Sequence, residues 1–301
     1  MIVERTEWGV RILAPAKLNL FLEILAKRPD GFHEIETLMV PVDLYDQLDV
    51  SPSDDPTVRL TCLVHTIPGD PPAEEVLPPE RENLVWRALE SIRTKYNVKQ
   101  GATATLIKRI PAASGLAGGS SDAAAAIVAA NEIWQLNLSP DRLAEHAAEL
   151  GSDIPFFLGS GVGVARGRGE KLERVPGGLG WHFVIVRPPE GLSTAAVYKK
   201  CRPNPSPRRV EEFVSAVGEG DVPRIGELLY NRLEEPAAEL SEWIVRLQRA
   251  CRESGAVGAR MSGSGTAYFA LCASRVQAHS VAARLRGERL GRVFVVQSVS
   301  D

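Results

Sequence analysis

Pro111-Ala-Ala-Ser-Gly-Leu-Ala-Gly-Gly-Ser-Ser-Asp122 runs without a break into the alanine-rich stretch Ala123 to Ala130, and this junction restricts the chain more than any other segment. A glycine- and serine-rich loop that feeds directly into a helix reads as a phosphate cradle. Gly115, Gly118 and Gly119 have no Cβ, so the backbone there can take positive φ and come close to an anion, while the first N–H groups of the helix point at it. Ser120 or Ser121 is placed to cap the helix and to offer a hydroxyl to a phosphate or its metal. An ordinary serine-capped loop has the same composition, so the companions of the loop must decide.

Composition narrows the partners. The net charge is −3 from 35 basic and 38 acidic residues, which gives no general attraction to nucleic acid or an anionic membrane, so an anionic ligand needs a local site. Cys62, Cys201, Cys251 and Cys272 are scattered, with no paired spacing, which argues against zinc and against a disulfide framework. Reduced, mostly buried thiols in a cytoplasmic protein are expected. Glu4, Arg5 and Glu7 precede any apolar run, and no uncharged stretch nears the ~18 residues of a bilayer span.

Along the chain, Val10 to Leu13 and Leu18 to Leu25 read as strands joined by a bend at Ala14-Pro-Ala16, and Pro29-Asp-Gly31 as a turn. Strands are expected at Glu34 to Val42, Asp46 to Ser51, Val58 to Cys62 and Ala102 to Lys108, with a solvated loop over Ile67 to Pro79. Asn83 and Ser139 are expected helix caps, the second followed by Pro140 and Asp141. Val162 to Ala165 and Lys171 to Val175 flank Arg166-Gly-Arg-Gly169 as a hairpin, and Pro176-Gly-Gly-Leu-Gly180 reads as a domain joint ahead of a strand at His182 to Val186. Beyond it, helices at Arg209 to Val217, Val222 to Leu229, Glu239 to Ser254 and Val276 to Arg286 mix with strands at Ala259 to Met261, Thr266 to Leu271 and Val293 to Val299. Without strict βαβα alternation the expected class is α+β, in two domains over 1–177 and 178–301.

The chain has no GxxxxGK[ST] and no strand-linked GxGxxG, so the cradle is neither a Walker loop nor a dinucleotide site. Lys17 and Asn19 lie two apart in Pro15-Ala-Lys-Leu-Asn-Leu-Phe21 and share one strand face, opposite Leu18 and Leu20. Asp153, in Gly151-Ser-Asp-Ile-Pro-Phe-Phe157, is either the cap of a short turn or a working carboxylate. A lysine and an aspartate beside a phosphate cradle supply what phosphoryl transfer to an alcohol needs: a group that takes or steers the hydroxyl proton and a cation that offsets charge. Met261-Ser-Gly-Ser-Gly-Thr266 is either a tight hairpin or a second loop that closes over phosphates.

These segments resemble the GHMP kinase superfamily of galactokinase, homoserine kinase, mevalonate kinase and phosphomevalonate kinase. Ala14 to Leu20, Pro111 to Ser121 and Met261 to Ala267 match its three motifs in order. Asp30-Gly-Phe-His33 and Arg166-Gly-Arg-Gly-Glu170 are similar, more narrowly, to the branch that phosphorylates the 2-hydroxyl of a cytidine diphosphate conjugate of methylerythritol in non-mevalonate isoprenoid synthesis. The resemblance implies an N-terminal domain like the second domain of ribosomal protein S5 and a ferredoxin-like C-terminal domain. It implies ATP as co-substrate, with magnesium expected at Ser120, Ser121 or Asp122. It implies Lys17 and Asp153 as the catalytic pair. For ATP it implies Pro111, Ala112, Ala113, Ser114, Gly115, Leu116, Ala117, Gly118, Gly119, Ser120 and Ser121, closed over by Gly263, Ser264, Gly265 and Thr266. For the second substrate it implies Asn19 beside the lysine, His33 on the cytosine edge, and Phe32 and Tyr198 as stacking rings. Phe32 stands where the family has tyrosine, and Ala112, Ala113 and Ala117 make this loop stiffer than glycine-richer relatives. A homoserine- or mevalonate-type kinase, and a nucleotide-binding regulator without catalysis, are the competing readings; retention of Lys17 and Asp153 speaks against the second.

Overall fold

The computed structural model describes residues 1–65, 77–159 and 161–299. The elements run β1 (Ile2–Thr6), β2 (Gly9–Lys27), β3 (His33–Ser53), β4 (Val58–Val64), α1 (Leu84–Lys95), β5 (Gly101–Lys108), α2 (Gly118–Ile133) and α3 (Pro140–Leu150). Then come β6 (Gly163–Gly167), β7 (Lys171–Arg174), β8 (His182–Arg187), α4 (Thr194–Lys200), α5 (Glu211–Glu219), α6 (Val222–Leu228), β9 (Tyr230–Asn231), α7 (Glu234–Ala238) and α8 (Glu242–Glu253). The chain finishes with β10 (Gly258–Met261), β11 (Tyr268–Cys272), α9 (Arg275–Gly287) and β12 (Arg292–Gln297).

Two sheets organise these elements, and the expected α+β class holds. The larger has the order β1-β2-β3-β5-β4, with β6 and β7 continuing from β3 and β9 lying against β2; the smaller has the order β10-β11-β8-β12. The sequence reading broke β2 and β3 into two strands each, but both are continuous. Pro15 cannot donate to a ladder, yet it falls at a register shift: Pro15 pairs with Tyr45 and Ala16 with Val42, so the irregularity absorbs the missing N–H without ending the strand. A second shift lies between Asn19 and Phe21. Lys17 and Asn19 thus sit between two bulges, which re-aim side chains.

Helix α2 explains its own composition. Ala123, Ala124, Ala125, Ala126, Ala129 and Ala130 are all fully buried, in one cluster with residues of α1, β2, β3 and β5. A helix that is apolar all round has to be interior, and alanine lets neighbouring backbones approach while losing no side-chain entropy. Asn83 caps α1 by accepting the Val85 N–H at 2.9 Å, and Ser139 caps α3, as expected. The helix expected over Glu239 to Ser254 is α8, which starts later because Ser241 caps it through the Trp243 N–H, and α7, just ahead of the expected range, was not foreseen. Strands β1 and β9 and helix α4 had no counterpart in the sequence reading, being short and weakly patterned. Of the expected loop 67–79 only 77–79 are described.

Candidate active site

A cleft of about 400 Å³ opens where the cradle loop, strand β2 and segments from the second half of the chain meet. Lys17, Asn19 and Thr37 line it from the large sheet, and Pro111 to Gly115 and Ala117 to Ser120 from the cradle. Asp153, Thr194, Tyr198, Gly263 and Ser264 complete that part of the wall. Lys17 and Asn19 are each 3 % exposed. The Lys17 ammonium donates to the Asn19 carboxamide oxygen and to the Gly115 carbonyl, the latter at 2.8 Å. The Lys17 backbone N–H donates to the Leu116 carbonyl at 3.1 Å, so between its two bulges β2 is bound to the cradle. Asn19 is held in turn by its Nδ2, which donates to Thr37 Oγ1 at 2.8 Å. Burial pushes the Lys17 ammonium down to about 8, with the Asp153 carboxylate pulling the other way.

The cradle differs from its expected form in where the left-handed residues fall. Gly118 and Gly119 begin α2, and the positive φ values belong to Ala113 (48°), Gly115 (78°) and Ala117 (55°). Only at Gly115 is a side chain impossible: a Cβ there would lie 2.0 Å from the Ser262 carbonyl oxygen. Neither Ser120 nor Ser121 caps α2. The cap position is Ala117, with no side-chain bond, so the first N–H groups of the helix have no serine to satisfy them and open onto the cleft that Gly118 and Gly119 line. Leu116 faces the core and Ser121 is fully buried; neither lines the cleft.

Asp153 does not cap the short helical turn Pro155–Leu158 that follows it; the residue at that cap is Ile154. Asp153 lines the cleft instead, and the Arg166-Gly-Arg-Gly169 turn packs beside it, since a Cβ on Gly169 would lie 3.4 Å from Asp153 Oδ1. Tyr198 lines the cleft and His33 does not, but their half-buried rings lie 5.3 Å apart at 43°. Burial, then Lys27, lowers the His33 pKa, while burial and Asp153 raise that of Tyr198; the imidazole is neutral and the phenol protonated. Phe32 is 52 % exposed, lies outside the cleft lining and carries the Arg168 guanidinium over its ring at 5.0 Å. Gly263 and Ser264 reach the cleft, but Gly265 and Thr266 do not: Thr266 is fully buried and its hydroxyl donates to the Glu190 carbonyl at 2.8 Å.

Several cleft residues escaped the sequence reading. Lys108 extends between Asp46 and Asp122, donating to Asp122 Oδ2 at 2.6 Å and to Asp46, with all three side chains buried. Burial opposes the Lys108 charge, but Asp122 and Asp46 outweigh it and push its pKa up; burial raises Asp122 against Lys108's pull. Asn83, Leu84, Leu106, Leu77 and Pro78 form a more apolar end of the same cleft. Thr194, on a helix that was not foreseen, pairs its hydroxyl with that of Ser264 at 2.9 Å. Nothing in the local pattern singled out the Asp46–Lys108 pair, since Asp46 stands among Asp43, Gln47 and Asp49 in β3 and Lys108 is the last residue of β5.

A cradle of helix N–H groups, a buried lysine and a carboxylate on one cleft are the parts of a phosphoryl-transfer site. Residues 83–161 match the model of the GHMP kinases N terminal domain and residues 213–290 that of the GHMP kinases C terminal region; fold and site define an ATP-using kinase of the GHMP class acting on a small molecule. The chain is 43 % identical to the 4-diphosphocytidyl-2-C-methyl-D-erythritol kinase of Pelotomaculum thermopropionicum, over 92 % of this chain and 94 % of the relative. It belongs to the 4-diphosphocytidyl-2-C-methyl-D-erythritol kinase family. A crystal structure of 4-(cytidine 5'-diphospho)-2C-methyl-D-erythritol kinase superposes with a TM-score of 0.76 at 33 % identity, covering 96 % of this chain and 99 % of the other. Homoserine kinase from Cytophaga hutchinsonii matches with a TM-score of 0.77 at 20 % identity, over 100 % and 98 % of the two chains. The backbone is therefore common to kinases of different substrates, and side chains in the cleft make the distinction.

Proposed function

We propose that this kinase transfers the γ-phosphate of ATP to the 2-hydroxyl of 4-diphosphocytidyl-2-C-methyl-D-erythritol, giving the 2-phosphate and ADP. The observation that carries the reading is one cleft lined by Lys17, Asp153, the cradle and Tyr198, whose ring lies 5.3 Å from that of His33. The rings offer a neutral imidazole to the hydrogen-bonding edge of cytosine and an aromatic face for stacking. Phe32, exposed and outside the cleft lining, is left out of the base clamp. Asp153 takes or steers the hydroxyl proton as the substrate oxygen attacks the γ-phosphorus and the bond to the bridging oxygen of ADP breaks. Lys17 offsets charge on the transferring group, and the α2 N-terminus holds the outer phosphates.

Magnesium fits the residues present. Ser121 Oγ and Asp122 Oδ1 are buried polar atoms without a hydrogen-bond partner beside the cradle. No cluster of three His, Cys, Asp or Glu side chains occurs among the described residues, which suits an ion that keeps several waters and substrate phosphates as ligands. Asp122 and Ser120, which line the cleft as Ser121 does not, would hold it, and it would supply charge neutralisation on the phosphates. Dependence on ATP and four unpaired cysteines support a reducing cytoplasm as the place of action.

Asp153→Asn is expected to lower kcat by about 10²–10⁴-fold while nucleotide binding stays near the parental value. A coupled assay of ADP release, with calorimetry of nucleotide binding, reads both. An Asp153→Asn enzyme with near-full kcat would remove the assignment of the base. His33→Ala that bound the cytidine substrate as tightly as the parent would remove the cytosine assignment and favour another alcohol.

A further inference from the structure

Besides the Thr194–Ser264 and Thr266–Glu190 bonds, two sets of contacts hold the loop Met261–Thr266. One comes from the cradle: Ser262 Oγ donates to the Gly115 carbonyl at 3.0 Å, and the Ala267 N–H donates to the Ser114 carbonyl at 2.9 Å. The other comes from Asn231 and Glu234, which neither the sequence reading nor the proposed chemistry uses. Asn231 is 5 % exposed, and its Nδ2 donates to two carbonyls of the loop, Met261 and Gly263, both at 2.8 Å. Its Oδ1 accepts the Leu233 N–H at 2.9 Å, which fixes the carboxamide's orientation. Glu234 accepts the Met261 N–H at 3.1 Å. Strand β9, which carries Asn231, is itself anchored: it runs parallel to β2, Leu22 opposite Asn231, and the Arg232 N–H donates to the Leu22 carbonyl at 2.8 Å. Asn231 thus connects the strand that carries Lys17 and Asn19 to the loop across the cleft.

In a planar trans peptide the C=O and the following N–H point in opposite directions. Met261–Ser262 follows this rule: its carbonyl goes to Asn231 and the Ser262 N–H to the Ala267 carbonyl at 2.9 Å. Seating the Gly263 carbonyl on Asn231 likewise turns the Ser264 N–H away from Asn231, and Gly263 and Ser264 themselves line the cleft. Gly263 has φ 54°, and a Cβ there would lie 3.1 Å from the Gly115 carbonyl oxygen, so the loop has little freedom to find this orientation another way.

We propose that Asn231 is a positioning residue: its carboxamide, bonded to the Met261 and Gly263 carbonyls, holds the Gly263–Ser264 peptide so that the Ser264 N–H serves as a donor to the ATP phosphates. The proposal rests on the kinase reading above for the identity of its ligand. Asn231→Asp retains the acceptor for Leu233 but turns a second oxygen on two carbonyls, and Asn231→Ser removes the fork without adding charge. Binding of a non-hydrolysable ATP analogue with magnesium is measured by calorimetry, and kcat and both KM values by steady-state assay, with thermal melting as the check on folding.

The expected result for Asn231→Asp is analogue binding weakened about tenfold or more, kcat lowered at least as much, and KM for the cytidine substrate unchanged. Asn231→Ser should show a smaller loss in the same pattern, and it decides the matter alone if the aspartate variant does not fold. Parental analogue affinity and kcat in folded variants would overturn the proposal, as would equal losses toward both substrates. A parent that binds the analogue but does not turn over the cytidine conjugate would defeat the substrate reading, while the affinity comparison would still decide the role of Asn231.

Discussion

Lys17 carries the sharpest consequence at the scale of a single residue. It is buried, bonded to Asn19 and the Gly115 carbonyl, and its ammonium is pushed down to about 8 by that burial. In the proposed mechanism the working form is the charged one, which exists below that value, so activity is expected to be lost as pH rises through it. kcat/KM, which reports the free enzyme, is expected to fall on an alkaline limb with an apparent pKa near 8. Lys17→Arg, whose guanidinium stays charged throughout, should lose that limb while kcat falls, because a planar fork does not replace a point charge. A parental profile that stays flat across this region would show that Lys17 does not need its proton. Ala117 makes a different point at the same scale. It takes a left-handed conformation that the glycines beside it were expected to supply, because the helix begins at Gly118 and the turn must come before it.

Among elements, the junction of β3, β5 and α2 is held by charge. Lys108 ends β5, Asp46 lies in β3 and Asp122 in the first turn of α2, and the ammonium cross-links all three where the cradle begins. Asp46 also accepts the Ile110 N–H at 2.9 Å, which ties the chain leading into the cradle to the sheet. Removing the central cation leaves two buried carboxylates facing each other. Lys108→Met is therefore expected to cost about 3–5 kcal/mol, read as a lowered urea midpoint. Adding Asp46→Asn and Asp122→Asn to it should recover part of that loss. A Lys108→Met protein as stable as the parent would mean that packing of the alanine helix alone holds the junction.

Across the whole molecule the two sheets share one core. Leu18, Leu20, Leu38 and Val40 of the large sheet lie in a single buried cluster with Phe183, Ile185, Phe269 and Leu271 of the small one. Phe183 and Phe269 meet edge to face, with ring centroids 5.9 Å apart. A bridge between Val42 and Ser298 and the pairing of β9 with β2 add backbone links between the halves. Phe269→Ala is expected to cost about 3–5 kcal/mol and to shift the far-ultraviolet circular dichroism and tryptophan fluorescence transitions together. Separate transitions would show that the halves unfold independently. The shared core also bears on catalysis, because Gly263 and Ser264 are carried by the small sheet's β10–β11 connection while Lys17 stands on the large sheet.

Much of this was legible in the linear chain, and the reason is local. The glycine–serine loop before an alanine helix, the Lys17–Asn19 spacing and the caps at Asn83 and Ser139 depend on residues a few positions apart, so their chemistry is written where they stand. The α+β class and most strands and helices follow from the same short-range periodicities. What the chain could not state is which distant groups meet. Thr266 was expected in the cleft and is turned to Glu190, and Phe32 was expected on a base and lies outside the cleft lining with Arg168 over its ring. Asp46 and Lys108, 62 residues apart, become one ion cluster. Asn231, in a two-residue strand without a pattern of its own, becomes the holder of a loop 30 residues away. Composition and spacing determined a glycine–serine loop running into an interior alanine helix, and with Lys17 and Asp153 made phosphoryl transfer the expected chemistry. Only the packing of two sheets around a common core decided which side chains face the cleft, because that choice depends on contacts between residues far apart in the chain.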